Sequence, residues 1–275
     1  MVCDVFSLHK ISGGDGVKFP FPVKDYQRYV FGDDKLAHLF GTDLAKAFIA
    51  RTGAAEDTST GSNQELTTDV VVAVLSDHVP TATHNLREHF TAYLNRHLVS
   101  EKQRPAHKID LIRVTARDDP HTSRTSTYHV DLACLGSRAL IILGDIRMST
   151  EQEEAISNSF KSKKIENTIV FAYLATLDES VNTSALSSTL SSIVSPSIKD
   201  IDSLAHSRYF SMTEAFARFV LSRDYAEFCR FLRGQDDFLA RKLLDYAIGG
   251  DHLEDELYKN NLRFLKWEID ARESI

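Results

Sequence analysis

Residues 139–153 read ALIILGDIRMSTEQE. An apolar run from Ala139 to Leu143 reads as a buried strand, Gly144 and Asp145 close it, and Glu151 onwards reads as a helix. The turn that follows such a strand and opens a helix is where open parallel sheets bind ligands, because helix N-termini and loop amides converge beyond the carboxyl ends of the strands. Asp145 leaves the strand just before a turn whose Ser149 and Thr150 offer hydroxyls and amides to an anion. A carboxylate beside an anion cradle suits a sugar phosphate, since hydroxyls donate to the acid while phosphate takes the amides. The same residues also fit an ordinary helix start, with Ser149 or Thr150 as N-cap and Glu153 completing a capping box.

Working outward, DVVVAVL at 69–75 is a β-branched run without polar alternation, as expected of a strand covered on both faces. SDHVPTATHN follows it, with Pro80 placed for the first turn of a helix that runs through Leu86, Phe90, Tyr93, Leu94 and Leu98. KIDLIRVT supplies a second strand, followed by a polar loop, ARDDPHTSRTSTYH; the opening stretch is the third strand and NTIVFAYLATL the fourth. The first 25 residues suggest an edge strand or hairpin. One amphipathic helix is expected between Asp25 and Arg51, opened by Asp33 or Asp34, and residues 53–68 read as a loop. Strands separated by helices imply right-handed crossovers and a parallel sheet. The expected fold is therefore α/β, a parallel-sheet domain over 1–180. An α-helical region follows over 181–275, with helices at 198–205, 212–221, 225–232, 238–248 and 253–269 after a Ser-rich connection.

With 275 residues and a 43% apolar fraction the chain can bury a full core. A net charge of -7 argues against a whole-surface platform for nucleic acid. Cys3, Cys134 and Cys229 are odd in number and lack metal-ligand spacing, which disfavours a disulfide framework or a zinc site. No apolar run is long enough to span a bilayer and no signal segment is evident, so a soluble, cytoplasmic protein without membrane partners is expected.

The pattern LIILGDIRMSTEQE resembles the signature of the type I phosphoribosyltransferase family: an apolar strand, two adjacent acids, a short apolar linker and a phosphate loop opening a helix. Asp145 matches the second acid and Ser149 the loop threonine. The resemblance extends over roughly residues 25–180 through YQRYVFGD, VLSDHVPTAT and the Arg/Tyr-containing loop, and the helical tail resembles that of atypical bacterial members. It implies a site for phosphoribosyl pyrophosphate or a nucleotide, with magnesium as cofactor held through the substrate at Asp145. Asp145 would bind ribose hydroxyls and be the catalytic residue, with Arg147 also binding substrate. Ser149 and Thr150 would take the 5-phosphate, and the Ser76-Asp77-His78 turn the pyrophosphate. A loop with Arg113, His121, Arg124 and Tyr128 would close over the substrate. The chain departs from the family pattern at two places: Gly144 stands where the first acid is expected, and Thr150 and Glu151 replace small residues of the phosphate loop.

Other residues carry weaker signals. His78, His84, His89, His97 and His107 read as solvated or capping histidines, since His84 and His89 lack the i, i+4 spacing of a helical metal pair. RDDPH reads as a turn, and Lys161, Lys163 and Lys164 as a solvated helix end. The aromatic residues of the tail read as core, while LEDELYKNNLRFLKWEI, with Arg263, Lys266 and Trp267, offers a surface for a protein or ribonucleoprotein partner. The implied function is that of a phosphoribosyltransferase-like protein that transfers or removes a ribosyl-phosphate group. One alternative is a toxin-like or regulatory effector of a bacterial defence system, such as a retron, with a degenerate site; another is a nucleotide-processing α/β enzyme that does not use phosphoribosyl pyrophosphate.

Overall fold

The computed structural model describes residues 3–13, 17–54, 69–115, 126–179, 181, 186, 189–190 and 195–274. Two compact units divide the chain: Met1–Pro20 with His38–Asp77 and Thr83–Leu186, and Phe21–Ala37 with His78–Ala82 and Ser187–Ile275.

The first unit is built on a six-stranded sheet in the order β1-β6-β5-β2-β3-β4. Its strands are β1 (Cys3–Ile11), β2 (Val70–Ser76), β3 (His107–Thr115), β4 (Ser126–His129), β5 (Ala139–Arg147) and β6 (Ile169–Leu177). All neighbours are parallel except β4, which runs antiparallel to β3. The β-branched run at 70–74 is buried along its length, as its lack of alternation predicts. On one face Val71, Ala73, Leu140, Ile142, Phe171 and Tyr173 form a core with Ile156 and Phe160 of α5 (Glu151–Ser162). Phe48 of α2 (Asp34–Ala54) and Phe90 of α3 (Ala82–Ser100) meet edge to face, with ring centroids 5.9 Å apart, and the one-turn helix α4 (Leu132–Leu135) joins β4 to β5.

Three local expectations need correction. The polar stretch after β3 ends in β4, where Tyr128 alone of the described side chains reaches the core; so short a strand shows no period to read. The helix expected to open at Asp33 or Asp34 is α2, and a separate short helix, α1 (Val23–Val30), precedes it where none was expected. Gly32 breaks the run with φ +102, and Asp33 then caps α2, its carboxylate accepting from the backbone N–H of Lys35 and Leu36. Pro80 lies two residues ahead of α3 rather than in its first turn, and its carbonyl accepts from the N–H of Glu214.

The second unit carries helices α6 (Ile198–Ala205), α7 (Glu214–Leu221), α8 (Tyr225–Arg233), α9 (Asp237–Gly249) and α10 (Lys259–Glu273), beside α1. Their starts follow from sequence: Ser197 forms a capping box with Asp200, and Thr213, Asp224 and Asp236 each cap the following helix. Phe216, Phe228, Leu232, Leu243 and Leu265 form its core with Phe31, which meets Phe219 edge to face. The last helix begins at Lys259, not Leu253, because residues 253–258 form turns. No described helix is long and apolar enough to cross a membrane, and all three cysteines are free.

Candidate functional site

The sheet order places β2 between β5 and β3, so the chain leaves β2 towards one side and later returns on the other. In open parallel sheets such a reversal is the point at which a crevice forms at the carboxyl ends of adjacent strands. Ser76 ends β2 and Asp77 follows it, while Asp145, Arg147, Ser149 and Thr150 lie at the end of β5. The two segments singled out in the sequence thus leave neighbouring strands at the switch point. His78 groups with the second unit, and His121 and Arg124 lie outside the described residues.

At the end of β5, Asp145 accepts from the N–H of Ile146 at 2.8 Å through Oδ1. Ser149 and Thr150 are exposed. Thr150 is the N-cap of α5, but its side chain makes no cap hydrogen bond; its hydroxyl donates instead to Glu154 at 2.8 Å. The expected capping box is absent because Glu153 is engaged elsewhere. Its carboxylate accepts from Arg147 through Nε (2.5 Å) and Nη2 (2.6 Å), a bidentate pair, and from the Tyr173 hydroxyl at 2.8 Å. Charge-assisted bonds of this kind are roughly twice as strong as neutral ones, so they outcompete a single backbone N–H.

Tyr173 reaches Glu153 from β6, where it pairs with Gly144 across the sheet. Its ring fills the space beside Gly144: a Cβ there would stand 2.6 Å from Cε1 and 2.7 Å from Cδ1. Burial and then the hydrogen bond with Glu153 push the Tyr173 phenol far above its usual range, and it stays a neutral donor. The bond with Glu153 in turn holds the Arg147 guanidinium still more firmly protonated. The space that a side chain at position 144 would take is therefore filled by the Tyr173 ring, which is linked through Glu153 to Arg147.

On the β2 side, Asp77 forms an ion pair with Arg113 of β3, both side chains being partly exposed. Arg113 stands opposite Tyr128 in the β3–β4 ladder. The Tyr128 phenol is raised chiefly by burial, an effect opposed by Arg113 and by a hydrogen bond with the side chain of Gln152 in α5. Asp77, Arg113, Tyr128 and Gln152 are thereby brought together. Tyr128 is not part of a loop free to close over a ligand. It is a buried β4 residue whose N–H donates to the Ser159 hydroxyl and whose carbonyl accepts from Lys163 Nζ at 2.7 Å. Lys163 itself remains exposed as the C-cap of α5, as do Lys161 and Lys164 at the same helix end.

Gln152 and Tyr173 escaped the sequence reading, and Glu153 was legible only as a cap. One signal existed: Glu153 lies on the same side of α5 as the buried Ile156 and Phe160, a carboxylate on an apolar stripe. His84 is likewise buried rather than solvated, 3.7 Å from Asp110, and burial lowers its pKa. His89 meets His38 with their Nδ1 atoms 3.2 Å apart.

The donor set does not fit a divalent cation held by protein side chains. Hard cations take six or more oxygens, several of them from carboxylates in dedicated sites. Here no acid fits at Gly144, Glu153 is spent on Arg147 and Tyr173, and Asp77 is paired with Arg113. Among the described residues no three His, Cys, Asp or Glu side chains converge on a possible metal position.

Comparison with known proteins adds two structural likenesses. A hypoxanthine-guanine phosphoribosyl transferase of L. donovani is 14% identical over 54% of this chain and 71% of its own, with a TM-score of 0.32. A hypoxanthine phosphoribosyltransferase from Staphylococcus aureus is 11% identical over 52% of this chain and 75% of its own, with a TM-score of 0.30. No curated protein matches. The profile of one family, described as PRTase ComF-like, matches residues 2–265. A match that spans the sheet, the crevice and the helical tail together decides the kinship: the chain belongs to the PRTase ComF-like family.

Proposed function

We propose that the first unit binds a phosphoribosyl compound, such as phosphoribosyl pyrophosphate or a nucleotide, in the crevice at the ends of β2 and β5. The observation that carries this reading is the placement of Asp145 and the turn into α5 beside the end of β2, at the topological switch. Asp145 takes ribose hydroxyls; the amides and hydroxyls of Ser149 and Thr150, with Arg147, take the 5-phosphate. Arg113, held by Asp77, faces further phosphate from β3. Turnover, where it occurs, is displacement at the ribose carbon, in which positioning and electrostatic stabilisation do most of the work. Calorimetry of the full chain with phosphoribosyl pyrophosphate and with a nucleoside monophosphate tests the reading. Heat for the wild type that disappears in Asp145→Ala supports it; equal heat, or none in either protein, overturns it.

A second reading, an effector whose helical unit engages a protein or ribonucleoprotein, draws on the exposed Tyr225, Phe238 and Trp267 of that unit. Toxicity on expression that persists unchanged in an Asp145→Ala, Ser149→Ala variant favours it. Toxicity abolished by those changes returns the role to the crevice.

A further inference from the structure

We propose that the crevice recognises the 5-phosphoribosyl group as a phosphate monoester without any divalent cation, and that Tyr173 and Glu153 are positioning residues that hold Arg147 for this purpose. The inference rests on the phosphoribosyl reading above and narrows it to a ligand class.

A hard divalent cation held at a protein site calls for several oxygen ligands, carboxylates among them, and here a second carboxylate beside Asp145 is lost twice over. Position 144 cannot hold an acid while the Tyr173 ring lies within 2.7 Å of where its Cβ would stand. The nearby buried acid, Glu153, cannot substitute: one oxygen accepts from both Tyr173 and Arg147, and the other accepts from Arg147 again.

What the network provides instead is a fixed guanidinium. The clamp uses the Nε–Nη2 edge of Arg147, and Nη1 takes no part in it. The side chain is 27% exposed and sits beside the first turn of α5, whose leading N–H groups have no partner within the helix. A planar donor oriented beside helix amides fits a tetrahedral phosphate. The Arg147–Glu153 pair is neutral as a whole, however, and Glu151 and Glu154 lie in the same turn. A highly charged diphosphate meets more repulsion there than a monoester does. Ribose 5-phosphate and nucleoside 5′-monophosphates are therefore the expected class, bound as well as or better than phosphoribosyl pyrophosphate.

The test is calorimetry of the full chain with ribose 5-phosphate, ribose and phosphoribosyl pyrophosphate, each in magnesium and in EDTA. Ribose 5-phosphate is expected to bind with the same Kd in both, and Arg147→Ala to weaken it about tenfold or more. Tyr173→Phe, which keeps the ring and removes only the donor to Glu153, should weaken ribose 5-phosphate several-fold while leaving the much weaker binding of ribose unchanged. A general loss of structure would not discriminate between those two ligands. The pair Gly144→Asp, Tyr173→Ala, checked for folding by its thermal transition, should acquire magnesium-stimulated binding of phosphoribosyl pyrophosphate. Binding by the wild type that needs magnesium, or Arg147→Ala that binds ribose 5-phosphate like the wild type, overturns this inference and leaves the phosphoribosyl reading standing. Absence of binding by any of the phosphorylated ligands in either condition overturns both.

Discussion

Tyr173 and Gly144 face each other across the β5–β6 ladder, and the phenol ring of one occupies the space that a side chain on the other would need. Position 144 cannot enlarge unless the ring moves. Gly144→Ala forces the ring of Tyr173 aside and strains its bond to Glu153, which should cost about 1–3 kcal/mol, the usual penalty of overpacking a core. In Tyr173→Ala the same Gly144→Ala change should cost much less. Urea denaturation of the four proteins of this cycle measures the coupling; additive effects would show that ring and glycine do not constrain each other.

Arg113 and Asp77 offer the opposite case. Their side chains are 43% and 38% exposed, so the ion pair between them contributes only about 0–1 kcal/mol. Arg113→Ala should leave the unfolding midpoint nearly unchanged while weakening phosphate-bearing ligands about tenfold, as expected for loss of a charge-assisted bond. A variant that melts early with unaltered affinity would assign Arg113 to the fold instead.

The helical unit contains Trp267, the one tryptophan of the chain, so its fluorescence reports on that unit alone. Gly32 lies in the same unit with φ +102, and a Cβ there would stand 2.2 Å from the Ser211 carbonyl oxygen. Gly32→Ala thus combines a disfavoured backbone conformation with a backbone clash, and about 2–4 kcal/mol of destabilisation is expected. Tryptophan emission during denaturation should shift to lower urea. An unmoved transition would show that the 31–33 turn rearranges without cost.

Tyr246 gives the unit a defined alkaline limit. Its hydroxyl donates to the Met212 carbonyl at 2.7 Å, and burial raises its pKa to about 12. The folded-state pKa lies above the unfolded value of about 10. Below that lower value the phenol is protonated in both states and its full contribution is present. Between the two values only the unfolded state loses the proton, so stability falls as pH rises. Trp267-detected unfolding between pH 9 and 12 (about the range spanned by the two pKa values) should show this decline, reduced in Tyr246→Phe. An identical slope in that variant would assign the decline to other groups.

Patterns with many members were legible in the sequence. The buried run of β2, the apolar half of β5 and the capped helices of the tail each repeat one signal over several residues, and burial acts on all of them together. Asp145 and Asp77 could be located because the ends of such strands are located. What stayed hidden depends on pairs far apart in the chain. Tyr173 lies 20 residues beyond the acid it serves, and its role follows from strand register rather than local pattern. Tyr128 sits in a short edge strand with too few residues to show alternation, and Glu153 imitates a cap because caps and buried clamps both favour an acid in a first helical turn.

The N-terminal segment 21–37 is joined to the tail at the level of the backbone. Ser211 N–H donates to Gly32 O at 2.9 Å, Asp34 N–H to Tyr209 O at 2.9 Å, and the Thr213 hydroxyl to Val30 O at 2.9 Å. The helical region is therefore not a cassette that a stop codon can remove. A chain ending near residue 180 would keep α1 and Phe31 yet lose the backbone and the aromatic partner that bury them. Functions assigned by deleting the tail would report on a damaged N-terminal segment as much as on the missing helices. For this fold, the informative cut is a substitution at the seam rather than a truncation of the chain.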